Sequence, residues 1–266
     1  MKRALVTGAS SGIGRATAEA LLADGFEVWG TSRDVSRLPS RQNFHPVRLD
    51  LTDTAGAETA FATAVGEAGR FDVIINNAGS GHFSAAEEMP LEEIRSQFQI
   101  LFFSHVRLMQ LAIAHLRQAG GGLIINVTSL AGRLPVPFMA AYNAAKAAMS
   151  AFTMSTQLEL RDSGIRLVDL QPADILTNFN DAVPKTEASA RYAEMIGHTW
   201  KTVDKNMKNA PPPELIARAV VRVTRQTNPP PRITVGDFFQ SGIAPFIFRF
   251  LPQRVRIWGL KQYYRL

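Results

Sequence analysis

The sequence contains no cysteine. Disulfide bonds and thiolate chemistry are therefore excluded, and a reducing, intracellular location is permitted. Long apolar runs are also missing: no stretch approaches the roughly 18 uncharged apolar residues of a membrane-spanning helix. The first apolar run, Ala4-Leu5-Val6, is too short for a secretory signal, so a cytoplasmic protein is expected. The five histidines, at 45, 82, 105, 115 and 198, lack metal-ligand spacing, and no metal is expected. No repeat or linker divides the chain, because Pro211–Pro213 and Pro229–Pro231 are only punctuation before a helix and a strand. Acidic residues are absent from Phe238 to Leu266, where five basic ones occur: Arg249, Arg254, Arg256, Lys261 and Arg265. The overall charge of +6 comes with no recognised nucleic-acid module, so no nucleic-acid partner is expected.

What is present is ordinary globular material, 46% apolar and 20% charged over 266 residues, enough for one domain with a large core. Apolar runs read as strands at Ala4–Val6, Glu27–Thr31, Val47–Leu49, Val73–Ile75, Leu123–Val127, Arg166–Leu170 and Arg232–Val235. Helical patterns fall between them at Ile13–Ala23, Thr54–Ala68, Leu91–Gln118, Met139–Arg161 and Glu214–Arg225. Strand–helix alternation with continuously apolar strands predicts an α/β fold, a parallel sheet covered on both faces.

The turn Thr7-Gly8-Ala9-Ser10-Ser11-Gly12-Ile13-Gly14 follows the first strand and opens the first helix. Glycines there let the backbone approach a pyrophosphate, and the helix N-terminus supplies free N–H groups. Three further segments follow in order: Asn76-Asn77-Ala78-Gly79, Ser129, and Tyr142-x-x-x-Lys146. The set resembles the short-chain dehydrogenase/reductase family over residues 5 to about 180. The resemblance implies a Rossmann-like doubly wound sheet of about seven strands in a single domain covering 1–266.

It also implies site residues. Gly8, Ser10, Ser11, Gly12, Ile13 and Gly14 would hold the dinucleotide pyrophosphate; Asp50 and Leu51 would flank the adenine; Asn77, Ala78 and Gly79 would support the adenosine side. Ile175 and Thr177, after Pro172, would hold the carboxamide of the nicotinamide. Tyr142 and Lys146 share a helix face. Ser129, Tyr142 and Lys146 would be catalytic, with Tyr142 as general acid/base, its pKa lowered by the lysine and an oxidised nicotinamide. Ser129 would orient the substrate oxygen. In the family an asparagine that anchors a relay water stands where this chain has Leu101, and Ser104 replaces a usual glycine. Leucine offers no polar atom for that role. The Leu101 departure supports a rival expectation, a catalytically weak dinucleotide-binding sensor or regulatory protein.

Arg33, at the end of the second strand, suits a ribose 2′-phosphate, so NADP(H) is expected over NAD(H), with Arg15 and Arg37 assisting and Asp34 capping the next turn. Phe83, Pro135, Val136, Phe138 and Met139, with apolar residues of 178–210, predict a hydrophobic pocket under a helical lid. The substrate expected is a ketone or secondary alcohol on a steroid-, retinoid- or lipid-like body. The 238–266 extension, apolar and basic, suits packing in the fold or a dimer, or contact with an anionic membrane surface. The family's long helices, here Leu91–Gln118 and Met139–Arg161, imply a homodimer or homotetramer.

Overall fold

Seven short apolar runs form parallel strands of one sheet in the computed structural model, which describes residues 1–179, 183–185 and 189–266. The strands are β1 (Arg3–Val6), β2 (Glu27–Ser32), β3 (Phe44–Arg48), β4 (Val73–Asn76), β5 (Gly122–Val127), β6 (Ile165–Pro172) and β7 (Arg232–Val235). The helices are α1 (Gly12–Ala23), α2 (Thr54–Ala68), α3 (Leu91–Phe98), α4 (Ser104–Gln118), α5 (Ala140–Glu159), α6 (Ala190–Asn209), α7 (Glu214–Thr224), α8 (Ala244–Phe250) and α9 (Gln253–Tyr264). None of the described helices is long and apolar enough to cross a membrane.

The strand order is β3-β2-β1-β4-β5-β6-β7. The chain reverses its direction of travel across the sheet between β1 and β4, which leaves a crevice beyond their C-terminal ends. Side chains alternate along each strand. Val6, Ile75 and Ile125 pack with Leu21 of α1 and Ile216 and Val220 of α7. Leu5, Ile74 and Ile124 pack on the other face with Phe61, Leu108 and Met149 of α2, α4 and α5.

Beyond shifts of one or two residues at element ends and the helices α8 and α9 in the 238–266 extension, two elements differ from those expected. The third strand starts three residues earlier, at Phe44 rather than Val47. It is the edge strand, half exposed in alternation and carrying Pro46, so it has no continuous apolar run to mark it. The single helix expected over Leu91–Gln118 is two, α3 and α4, joined by a π-type turn at Gln99–Phe103. Such a turn inserts one residue without breaking the apolar pattern, which hides it from periodicity. Of the 178–210 segment, residues 190–209 form α6, while 180–182 and 186–188 lie outside the described residues.

Candidate active site

A cleft of about 700 Å³ opens at the C-terminal ends of the strands. Its wall includes all the residues singled out from the sequence: Gly8, Ser10–Gly14, Arg33, Asp50, Leu51, Asn77–Gly79, Ser129, Tyr142, Lys146, Ile175 and Thr177. Arg37 joins them, whereas Arg15 instead pairs with Glu19 one helical turn away at 2.9 Å and takes no part.

The glycine turn is held from below by Thr7, the residue that opens the motif. Its hydroxyl accepts from the backbone N–H of Asn77 (2.8 Å) and Ala78 (3.0 Å), and its carbonyl accepts from the Asn77 amide (2.9 Å). Gly8 has φ +71° and Gly12 has φ +51°, conformations that a side chain would strain. Ser11 precedes α1 without making a side-chain cap, and the first turn of α1 has no acidic residue. By contrast, Asp53 caps α2. The N-terminus of α1 therefore faces the cleft as an uncapped positive dipole end, which fits a dinucleotide pyrophosphate.

At the far end of the cleft, Asp34 accepts from the Ser36 backbone (3.0 Å) and hydroxyl (2.7 Å). These bonds hold its carboxyl below the usual range and keep it on its own turn. Asp50 makes a similar local turn with Thr52 while still lining the cleft.

Ser129 follows β5, and its hydroxyl accepts from Ala131 N–H at 3.1 Å. Phe138, with φ +63°, turns the chain into α5, and Asn143 braces the same loop by donating to the Val136 carbonyl at 2.8 Å. Tyr142 and Lys146 then project from the first turns of α5. The Tyr142 ring lies against Phe179 (centroids 5.8 Å apart). Lys146 is almost fully buried, and its ammonium donates to the Val127 carbonyl at 2.9 Å.

Burial dominates the electrostatics of this pair. In the chain alone, burial pushes the Tyr142 phenol up, and only its hydrogen bond with Ser129 pulls it back. The Lys146 ammonium sits 5.9 Å from the ring centroid, and burial pushes Lys146 itself down to about 8, against a partial upward pull from Asp169. That Asp169 is buried and accepts from Thr128 and Ser150, flanking Ser129 and Lys146, as well as from Gln171 and Arg232. The sequence reading had not marked Asp169, and only the fold brings its donors together.

Leu101 is fully buried in the π-type turn. A side chain on Gly79 would meet Leu101 at 3.1 Å and the Lys146 ammonium at 3.9 Å, so both lie around Gly79, and Leu101 stands where the resemblance puts the asparagine. Ser104 donates to the Leu51 carbonyl at 2.6 Å. His105, one turn after Leu101, is hydrogen-bonded to the Ala78 carbonyl at 2.8 Å, and burial and the nearby lysine push it down to about 3. It is neutral at working pH. In Leu101→Asn, a polar amide replaces apolar packing beside the ammonium. The pH above which kcat/KM falls should rise from about 8, because Lys146 is less desolvated. The variant should also lose about 1–3 kcal/mol of stability. An unmoved alkaline limb would show that Leu101 does not tune the lysine.

The expected hydrophobic pocket is divided. Val136, Met139 and Phe179 line the cleft, joined by Val203 and Met207 of α6 and Tyr264 of α9. Phe83, however, is fully buried against Trp200, with ring centroids 5.0 Å apart. Phe83, Phe138 and Trp200 pack behind the cleft, in one cluster with Val136, Met139 and Phe179, and Pro135 is exposed.

Comparisons with known proteins agree with this architecture. The family model described as short chain dehydrogenase matches residues 2–188. A 3-ketodihydrosphingosine reductase from Bacteroides thetaiotaomicron is 32% identical, covering 98% of this chain and 97% of that protein. An NADPH-dependent 3-dehydrocapnine reductase from Ornithobacterium rhinotracheale is 30% identical, covering 82% of each chain. A crystal structure of a short-chain dehydrogenase from Streptomyces avermitilis superposes with a TM-score of 0.83 at 29% identity, covering 99% of this chain and 96% of that one.

Proposed function

The chain belongs to the short-chain dehydrogenase family of oxidoreductases, and we propose that it reduces a ketone on a lipid-like body to a secondary alcohol, with NADPH as the preferred reductant. The observation that carries this reading is the two-ended cleft. Ser129, Tyr142 and Lys146 line it from β5 and α5, together with Val136, Met139, Phe179 and Met207, while Arg33 and Arg37 line it from the end of β2, with β1 and β4 between. Two relatives named as reductases of 3-keto and 3-dehydro compounds, one of them NADPH-dependent, support it.

The dinucleotide would supply the hydride. Ser129 would hold the substrate oxygen, and Tyr142 would donate the proton to it. Lys146 would fix the ribose beside it. Arg33 and Arg37 would hold the 2′-phosphate by charge-assisted hydrogen bonds. Exposed Phe103, Met154 and Leu158 on and beside α4 and α5 support a homodimer through those helices.

Ketones of increasing chain length, assayed with NADPH and NADH, test the reading. kcat/KM should rise with chain length by roughly 10-fold or more per few methylenes, at about 0.8 kcal/mol each. It should favour NADPH over NADH, and Arg33→Ala should reduce that preference by about 10-fold or more, the loss of a charge-assisted contact. Equal use of both cofactors, or indifference to chain length, would refute the respective half. The rival reading, a weak binder, is favoured by Leu101 alone. Cofactor binding with no turnover of any ketone would establish it.

A further inference from the structure

The last helices turn apolar side chains away from the core. Phe239, Ile243, Phe246 and Phe250 recur at spacings of four, three and four residues across α8 and the turn before it, which puts them on one helical face. That face is open: Phe239 is 58% exposed, Phe246 67%, Phe250 68%, and Trp258 on α9 63%. Exposed Arg249, Arg254, Lys261 and Arg265 lie among them, with no acidic residue from Phe238 to Leu266.

The inner side of the same segment is tied to the cleft. Tyr264 is buried and lines it. Tyr263 accepts from Asn206 of α6 at 2.7 Å, and Gln240 donates to Asp174, another lining residue, at 2.6 Å. One segment thus walls the cleft and displays an aromatic, cationic outer face.

We propose that the outer face of α8 and α9 docks on an anionic lipid bilayer, placing the cleft next to the surface from which a lipid-like ketone is drawn. The docking stands on the surface itself; the role in substrate supply rests on the proposed reductase activity. The charge pattern selects this occupant over a second copy of the chain. A two-fold interface sets a patch against itself, and here it would bring two sets of unneutralised cations together. Anionic headgroups neutralise them while the rings enter the acyl boundary.

The full chain is sedimented with vesicles of phosphatidylcholine alone or mixed with phosphatidylglycerol, without substrate or cofactor. The expected result is partition at least about ten-fold stronger into the anionic vesicles, weakened by salt. Trp258 emission should shift to the blue. Phe246→Ser/Phe250→Ser/Trp258→Ser and Arg254→Glu/Lys261→Glu should each lose most of the partition while keeping the wild-type circular dichroism and Tm. Three results would overturn the proposal: no partition into anionic vesicles, partition that neither variant reduces, or a concentration-dependent dimer that the apolar variant abolishes while vesicles remain unbound. Because no turnover is measured, failure here leaves the reductase reading to its own test.

Discussion

Tyr142→Phe is expected to lower kcat about 10³-fold, the scale of a lost general acid, with little change in cofactor affinity or Tm. The phenol is hydrogen-bonded to Ser129 and its ring rests against Phe179 in the cleft. Phenylalanine keeps the ring contact with Phe179 and removes only the hydroxyl, so loss of rate without loss of fold isolates the proton-transfer role. Burial pushes this phenol up rather than down. In the reductive direction that is an advantage, because the group remains protonated through neutral pH and has its proton to give. Steady-state kinetics with NADPH and a long-chain ketone, beside thermal melts, measure both quantities. A variant retaining a tenth or more of wild-type kcat would remove Tyr142 from the role.

Lys146→Met is expected to separate activity from stability in opposite directions. The ammonium is buried, its charged form is disfavoured enough to bring its pKa to about 8, and the hydrogen bond it makes is to one backbone carbonyl, Val127. Replacing such a charge by an apolar side chain of similar length is commonly neutral or stabilising. Tm should therefore stay level or rise, while kcat/KM falls about 10²-fold or more as the positively charged anchor of the ribose is lost. The sign of the wild-type pH dependence follows from the same burial. The ammonium is present below about pH 8 and is lost above it, so kcat/KM of the wild type should decline as pH rises through that value, and the variant should lose this limb. A fall in Tm of several degrees would instead make Lys146 a structural residue.

How much of this was legible beforehand depends on the range of the interaction. The sheet was readable because buried parallel strands are continuous apolar runs, as in Ile124-Ile125 and Ile74-Ile75. The half-exposed β3 was not, and its start was misplaced. Ser129, Tyr142, Lys146 and the glycine turn are local patterns, and the fold gathers them in one cleft. Asp169 is gathered in by Thr128, Ser150 and Arg232, and Asn143 acts on a loop seven residues away; neither carries a local signature. Residue spacing gives the distance along a helix, but a pKa depends on what surrounds the group, and here burial of the Tyr142 phenol outweighs its hydrogen bond with Ser129. Phe83 and Trp200 were assigned to the pocket on hydrophobicity alone, which does not distinguish a wall from the packing behind it.

The most direct test follows the hydride. NADPH carrying deuterium at the transferable position of its nicotinamide is incubated with the enzyme and a long-chain ketone, and the product is examined by mass spectrometry. One deuterium on the carbinol carbon for each NADPH consumed is the expected outcome, abolished in Tyr142→Phe. NADPH that is bound but not consumed, or an alcohol formed without deuterium, would contradict hydride transfer in this cleft.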